Sequence, residues 1–138
     1  MTIKFFPRMG SVLVCDFSDL REPEITKVRP VVVVSPRLPH RSELAAVVPL
    51  SLTAPRHDLP FCFKLSRNYH PLESPELDCW AKADLVMNVS LRRLNGFKVH
   101  RRRWLFPHLD EGDLLGVRHA VAAGLGLDRL KGAMHSAI

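Results

Sequence analysis

The chain has 138 residues, 46% hydrophobic and 25% charged, enough for one domain with a real core and short for two. Twenty lysines and arginines against 14 acids give a net charge of +6, compatible with nucleic acid or with an acidic protein partner. No apolar run approaches the roughly 20 residues that span a membrane. Met1–Gly10 lacks the apolar stretch of a signal peptide, so a cytoplasmic protein is expected. Cys15, Cys62 and Cys79 are odd in number and form no C-x-x-C pair, which reads as three small reduced hydrophobes.

Gly10–Phe17 predicts a first strand, with Leu13, Cys15 and Phe17 on one face and Val12, Val14 and Asp16 on the other. Ser18–Lys27 is a polar loop carrying Asp19, Glu22, Pro23 and Glu24, longer than a tight turn. Pro30–Ser35 is apolar on both faces and predicts a central strand. Leu44–Leu52 predicts a third strand, in which Pro49 implies a bulge or an edge position. Pro60–Leu65 alternates well enough for a fourth. After the polar, proline-containing loop Ser66–Leu77, a fifth strand is expected around Cys79–Leu85, with a continuation toward Val89. Ser90–Leu94 predicts one helical turn capped by Ser90, and Phe97–Trp104 a sixth strand.

Asp110 opens the one strong helix, about 110–125, with Asp113 as a first-turn acid and Leu114, Val117, Val121 and Leu125 on one face. Gly124 and Gly126 weaken its end, and the tail over 126–138 is expected to be loosely ordered, above all beyond Leu130. The pattern predicts a single α+β domain, mainly antiparallel, in the form of a small, partly closed barrel with a C-terminal helix.

Few residues suggest chemistry. The seven histidines are scattered, no H-E-x-x-H or Cys–His spacing marks a metal site, and no glycine loop cradles a phosphate, so neither metal nor cofactor is expected. Arg29 stands at the mouth of the valine strand, its backbone held extended by Pro30. It is either a structural arginine paired with Asp16 or Glu24, or a phosphate contact. Ser51 and Thr53 end the third strand, where their hydroxyls could donate to a phosphate oxygen or cap a turn. Arg101, Arg102 and Arg103, following Arg92, Arg93 and Lys98, are the densest positive charge. On a strand they would point to alternate faces, as on a solvated edge.

Four blocks in order, Gly10-Ser-Val-Leu-Val-Cys-Asp-Phe17, Pro23 through Val28-Arg-Pro-Val-Val-Val-Val-Ser-Pro36, Val48-Pro-Leu-Ser-Leu-Thr-Ala-Pro55 and Trp80-Ala-Lys-Ala-Asp84, resemble the MazF/PemK toxins of bacterial type II toxin–antitoxin pairs. The resemblance runs over about residues 9–95. It implies the SH3-like, CcdB/MazF-type barrel. It also implies a homodimeric, metal-independent endoribonuclease that cuts single-stranded RNA, with a 2′,3′-cyclic phosphate and a 5′-hydroxyl as products. It places the arginine of the family's Arg-Pro motif on Arg29, and the hydroxyl after its Val-Pro pair on Ser51, where threonine is usual, with Thr53 two residues on. Asp16, Lys27 and Asp84 follow as supporting or RNA-contacting residues. The implied partners are single-stranded RNA and an acidic antitoxin, with operator DNA reached only through the antitoxin. Alternatives are a CcdB-like toxin that binds DNA gyrase and cuts nothing, or a degenerate member that only binds RNA or antitoxin.

Overall fold

The computed structural model describes residues 3–130. Nine strands and one α-helix follow in chain order: β1 (Val12–Asp16), β2 (Val28–Val33), β3 (Leu44–Ser51), β4 (Cys62–Lys64), β5 (Trp80–Lys82), β6 (Met87–Ser90), β7 (Leu94–Asn95), β8 (Phe97–His100), β9 (Arg103–Leu105) and α1 (Glu111–Gly124). Seven of the strands form one antiparallel sheet in the order β4-β5-β3-β2-β1-β7, with β6 also pairing β3, and β8 and β9 form a separate hairpin.

The apolar run of β2 places it between β1 and β3, where both of its faces are covered. Val32 joins Val12, Val48, Leu50 and Ala81 against Val117 and Ala120 of α1. Val31 and Val33 join Leu13, Cys15, Phe17 and Val47 on the opposite face. Each of these β2 valines is fully buried, and burying a valine contributes about 1.5–3 kcal/mol relative to leaving it exposed. The predicted parity of the first strand holds, with Leu13, Cys15 and Phe17 in one cluster and Val12 and Val14 in the other. All three cysteines are free.

Four expectations are corrected. Pro49 marks neither a bulge nor an edge strand. It sits opposite Val31, inside β3, at the place where the other side of β3 changes partner from β6 (Leu44–Val47) to β5 (Leu50–Ser51). No ladder partner there needs the N–H that proline lacks. The continuous fifth strand is broken by a 3-10 turn at Ala83–Leu85, so β5 and β6 pair with opposite ends of β3. Phe97–Trp104 is a hairpin with Arg101 and Arg102 in its turn, so the arginines do not alternate across one strand. The helix ends at Gly124, leaving Leu125 57% exposed rather than on the apolar face.

The capped turn is found, with Ser90 accepting from the Arg92 amide before Leu91–Arg93. Asp110 caps α1 through the Asp113 amide at 2.7 Å. Gly116 lets α1 lie against β4, because a methyl there would collide with the Phe63 ring. Of the expected loose tail, the part beyond Leu130 lies outside the described residues, while Leu127–Arg129 forms a 3-10 turn.

Candidate active site

At the open end of β2 and β3 lies a cavity of about 290 Å³. Arg29, Ser51 and Thr53 line it, over a floor that includes Val12, Pro30 and Leu50. Strand register accounts for this. Val31 pairs with Pro49, and continuing the antiparallel ladder by two residues sets Arg29 against Ser51. Residues more than 20 apart in sequence therefore meet at one strand end.

Arg29 is exposed, and its Nε donates to the Thr26 carbonyl at 3.3 Å. Neither pairing expected of a structural arginine, with Asp16 or Glu24, forms. Among the described residues no carboxylate lies within 4 Å of its guanidinium, and the two ion pairs found are Lys64–Asp78 and Arg93–Asp19. Its two terminal nitrogens make no hydrogen bond among the described residues. The Ser51 hydroxyl oxygen accepts from the Thr53 amide at 3.1 Å, so the turn-capping expectation holds. A hydroxyl that accepts in this way keeps its proton to donate.

The supporting acids and Lys27 stand elsewhere. Asp16 ends β1 and accepts from the Ser18 amide at 2.9 Å, and the hydroxyl and amide of Ser18 together hold its carboxyl below the usual range. Lys27 turns the chain into β2 with φ of +72°, and its carbonyl accepts from the Phe17 amide. Asp84 is exposed in the 3-10 turn that packs against the end of α1 near Gly124. None of the three lines the cavity.

Asn68, His70 and Glu73 of the loop Ser66–Leu77 also line the cavity, and no motif in the sequence marks them. Asp113, read from the sequence as a helix-dipole acid, is buried and holds this loop in place. Its carboxylate accepts from the Ser66 amide at 3.1 Å, the Ser66 hydroxyl at 2.7 Å and the Tyr69 hydroxyl at 2.7 Å. Burial pushes the Tyr69 phenol up. Arg67 stacks 4.4 Å over the Tyr69 ring, and His70 meets Phe97 edge-on at 4.7 Å. The signal in the sequence was the density of hydrogen-bonding side chains around the chain's single tyrosine. Cys79 closes the wall. Burial pushes its thiol up to about 11, with the charge of Glu73 adding to the shift.

The cavity thus joins one uncompensated guanidinium, two hydroxyls and a histidine–carboxylate loop. A phosphodiester, anionic and rich in acceptors, is the ligand such a set suits. Among the described residues, no group of three or more His, Cys, Asp or Glu is placed to hold a metal ion.

The chain is similar to known proteins in sequence and in fold. The family model for PemK-like, MazF-like toxins of type II toxin–antitoxin systems matches residues 8–123, running through α1. The uncharacterized protein YifN of Escherichia coli (strain K12) is 31% identical, over 73% of this chain and 80% of its own. Among solved structures, MazF (Form-I) from Deinococcus radiodurans superposes with a TM-score of 0.65 at 20% identity, covering 89% of this chain and 99% of that one. An endoribonuclease from Mycobacterial species, in complex with its cognate antitoxin, superposes at 0.59 with 20% identity, covering 88% and 96%. Both share the mostly antiparallel sheet and C-terminal helix described above.

Proposed function

This chain belongs to the PemK-like, MazF-like family of toxins from type II toxin–antitoxin systems, and from that premise we propose that it is a metal-independent endoribonuclease cutting single-stranded RNA. The observation that carries this reading is the Arg29 guanidinium, unpaired among the described residues, in one cavity with Ser51 and Thr53. An exposed guanidinium with no carboxylate partner among the described residues keeps its terminal donors free for an anion.

In the proposed reaction the ribose 2′-hydroxyl attacks the adjacent phosphorus, and the P–O5′ bond breaks. A 2′,3′-cyclic phosphate and a 5′-hydroxyl result. Negative charge builds on the non-bridging oxygens. Arg29 offers them a fixed fork of donors and a permanent charge. Ser51, its oxygen already engaged by the Thr53 amide, donates its hydroxyl proton to the same phosphate, and Thr53 is the second donor. The substrate supplies the nucleophile and Arg29 the positive charge, so no metal is required. Asp16 and Lys27 act through the loop that presents Arg29, and Asp84 through its contact with α1.

The same reading assigns a homodimer, a cytoplasmic setting and an acidic antitoxin whose charge opposes the +6 of this chain. Operator DNA is reached only through that antitoxin. The test is incubation of purified protein with a long RNA in EDTA, followed by end analysis. Discrete fragments carrying 5′-hydroxyl and cyclic phosphate ends are expected. Intact RNA, together with inhibition of DNA gyrase, would replace the nuclease with a CcdB-like toxin. Intact RNA without it would leave a member that only binds.

A further inference from the structure

Cleavage by a 2′-hydroxyl needs a group that takes the hydroxyl proton as the new bond forms. Arg29 cannot serve, since a guanidinium stays protonated in proteins. Ser51 and Thr53 are donors, and their neutral hydroxyls are poor bases. Three other groups on the cavity wall have a lone pair to offer: Cys79, His70 and Glu73.

Cys79 is buried, and with its thiol pushed up to about 11 it is neutral and protonated near pH 7. His70 is occupied. Its Nδ1 accepts the Leu72 amide hydrogen at 3.2 Å. A neutral imidazole that accepts at Nδ1 carries its proton on Nε2, so what it has left to offer is a donor.

Among the described residues Glu73 is the one carboxylate lining the cavity, and one of its oxygens is held. Its Oε1 accepts from the Asn68 side-chain amide at 3.1 Å. Asn68 is itself buried. Its amide nitrogen also donates to the Ser74 carbonyl at 3.2 Å, and its oxygen accepts from the His70 amide at 3.3 Å. Flipping that amide would set its oxygen against a carboxylate and a carbonyl, so the orientation is fixed. The second oxygen of Glu73 accepts no hydrogen bond among the described residues.

We propose that Glu73 is the proton acceptor of the cleavage step, held by Asn68 in the cavity that Arg29 also lines. The proposal rests on the nuclease reading above. As the O2′–P bond forms, the 2′-hydroxyl proton passes to the free carboxylate oxygen of Glu73. The P–O5′ bond breaks, its electron pair leaves with the 5′-oxygen, and that oxygen takes a proton from water. Glu73 then returns its proton to the hydroxide so formed. No redox change occurs, and the cyclic phosphate keeps its single negative charge.

The test uses the full chain and a single-stranded oligoribonucleotide that the wild type cuts. Glu73→Gln keeps an acceptor for Asn68 and loses the basic oxygen. Single-turnover cleavage should fall about 10²- to 10⁴-fold, while affinity for the all-2′-deoxy version of the same oligonucleotide changes less than about threefold. Glu73→Ala should be slow and should regain about tenfold or more with added formate, which puts a small carboxylate back into the space. Glu73 is exposed, so both variants should fold, and thermal melting checks this. Active wild type with a Glu73→Gln variant within about threefold of it would remove the base and leave the nuclease standing. A Glu73→Ala loss that formate does not restore, and that tracks weakened binding, would make Glu73 a substrate contact and likewise overturn the proposal. Wild-type protein that leaves every RNA intact removes the nuclease reading, and the base with it.

Discussion

The end of β1 is flanked by two arginines with opposite fates. On one side Cys15 pairs with Arg29 of β2, and on the other with Leu94 of β7, the residue after Arg93. Arg93 is engaged at both of its terminal nitrogens. It grips both carboxylate oxygens of Asp19, one at 2.9 Å, and donates to the Asp16 carbonyl at 3.0 Å. That fork pins the acid-rich loop Ser18–Lys27 to the turn before β7. Among the described residues Arg29 has one backbone carbonyl and no carboxylate. The Asp19 carboxylate is thus directed to the arginine that has a structural task, the Asp16 carboxylate to Ser18, and the other guanidinium is left open to the cavity. Local acid density, which in sequence argues against RNA binding, says little once its pairing is known. The same holds for positive charge, since Arg101–Arg103 lie exposed on a separate hairpin.

This contrast can be broken in graded steps. Arg29→Ala should show the largest effect, slowing RNA cleavage about 10²- to 10³-fold, the scale seen for losing one transition-state donor. Its melting temperature should stay at that of the wild type, because the side chain is exposed and unpaired. Asp113→Ala should come next, acting on the fold. It strands the buried hydroxyl of Tyr69 and the donors of Ser66, a cost of about 3 kcal/mol readable by urea unfolding. Cleavage should fall with it as the Glu73 loop loses its anchor.

Ser51→Ala should slow cleavage about tenfold, near the 1–3 kcal/mol scale of one lost hydrogen bond, with Thr53 supplying the remaining hydroxyl. Arg93→Ala should be mildest. Exposed ion pairs contribute little to global stability, so the effect belongs in amide exchange over Ser18–Lys27, which should quicken. The Arg93 hydrogen bond holds the Asp19 carboxyl below its ordinary range. A lowered folded value means that the pair supports the loop above the ordinary carboxylate range. That support fades as pH falls through the lowered value. Loop protection, with exchange corrected for its intrinsic pH dependence, should therefore fall below about pH 4 in the wild type and change little in Arg93→Ala.

Much of the sheet was legible because its signals are local. Four valines in a row announce a strand covered on both faces, and the Asp110 cap announces α1. The break between β5 and β6 was not legible. It depends on β3 changing partner at Pro49, a fact of pairing rather than of periodicity. In the candidate site, Arg29, Ser51 and Thr53 carry motif signals and are found together. Asn68, His70 and Glu73 sit in a loop whose shape is set by Asp113, more than 40 residues away in sequence. Alternation and capping rules place Asp113 on the helix correctly, yet they cannot say that its carboxylate turns away from solvent to hold Tyr69.

The most direct test sets Arg29→Ala and Arg93→Ala side by side on one RNA in EDTA, with cleavage rate and melting temperature read from the same preparations. If the open guanidinium carries the chemistry, Arg29→Ala is slower by about 10² or more at unchanged melting temperature, while Arg93→Ala stays within a few-fold of the wild type. Equal losses in the two variants, or an Arg29→Ala protein that cuts as fast as the wild type, would contradict it.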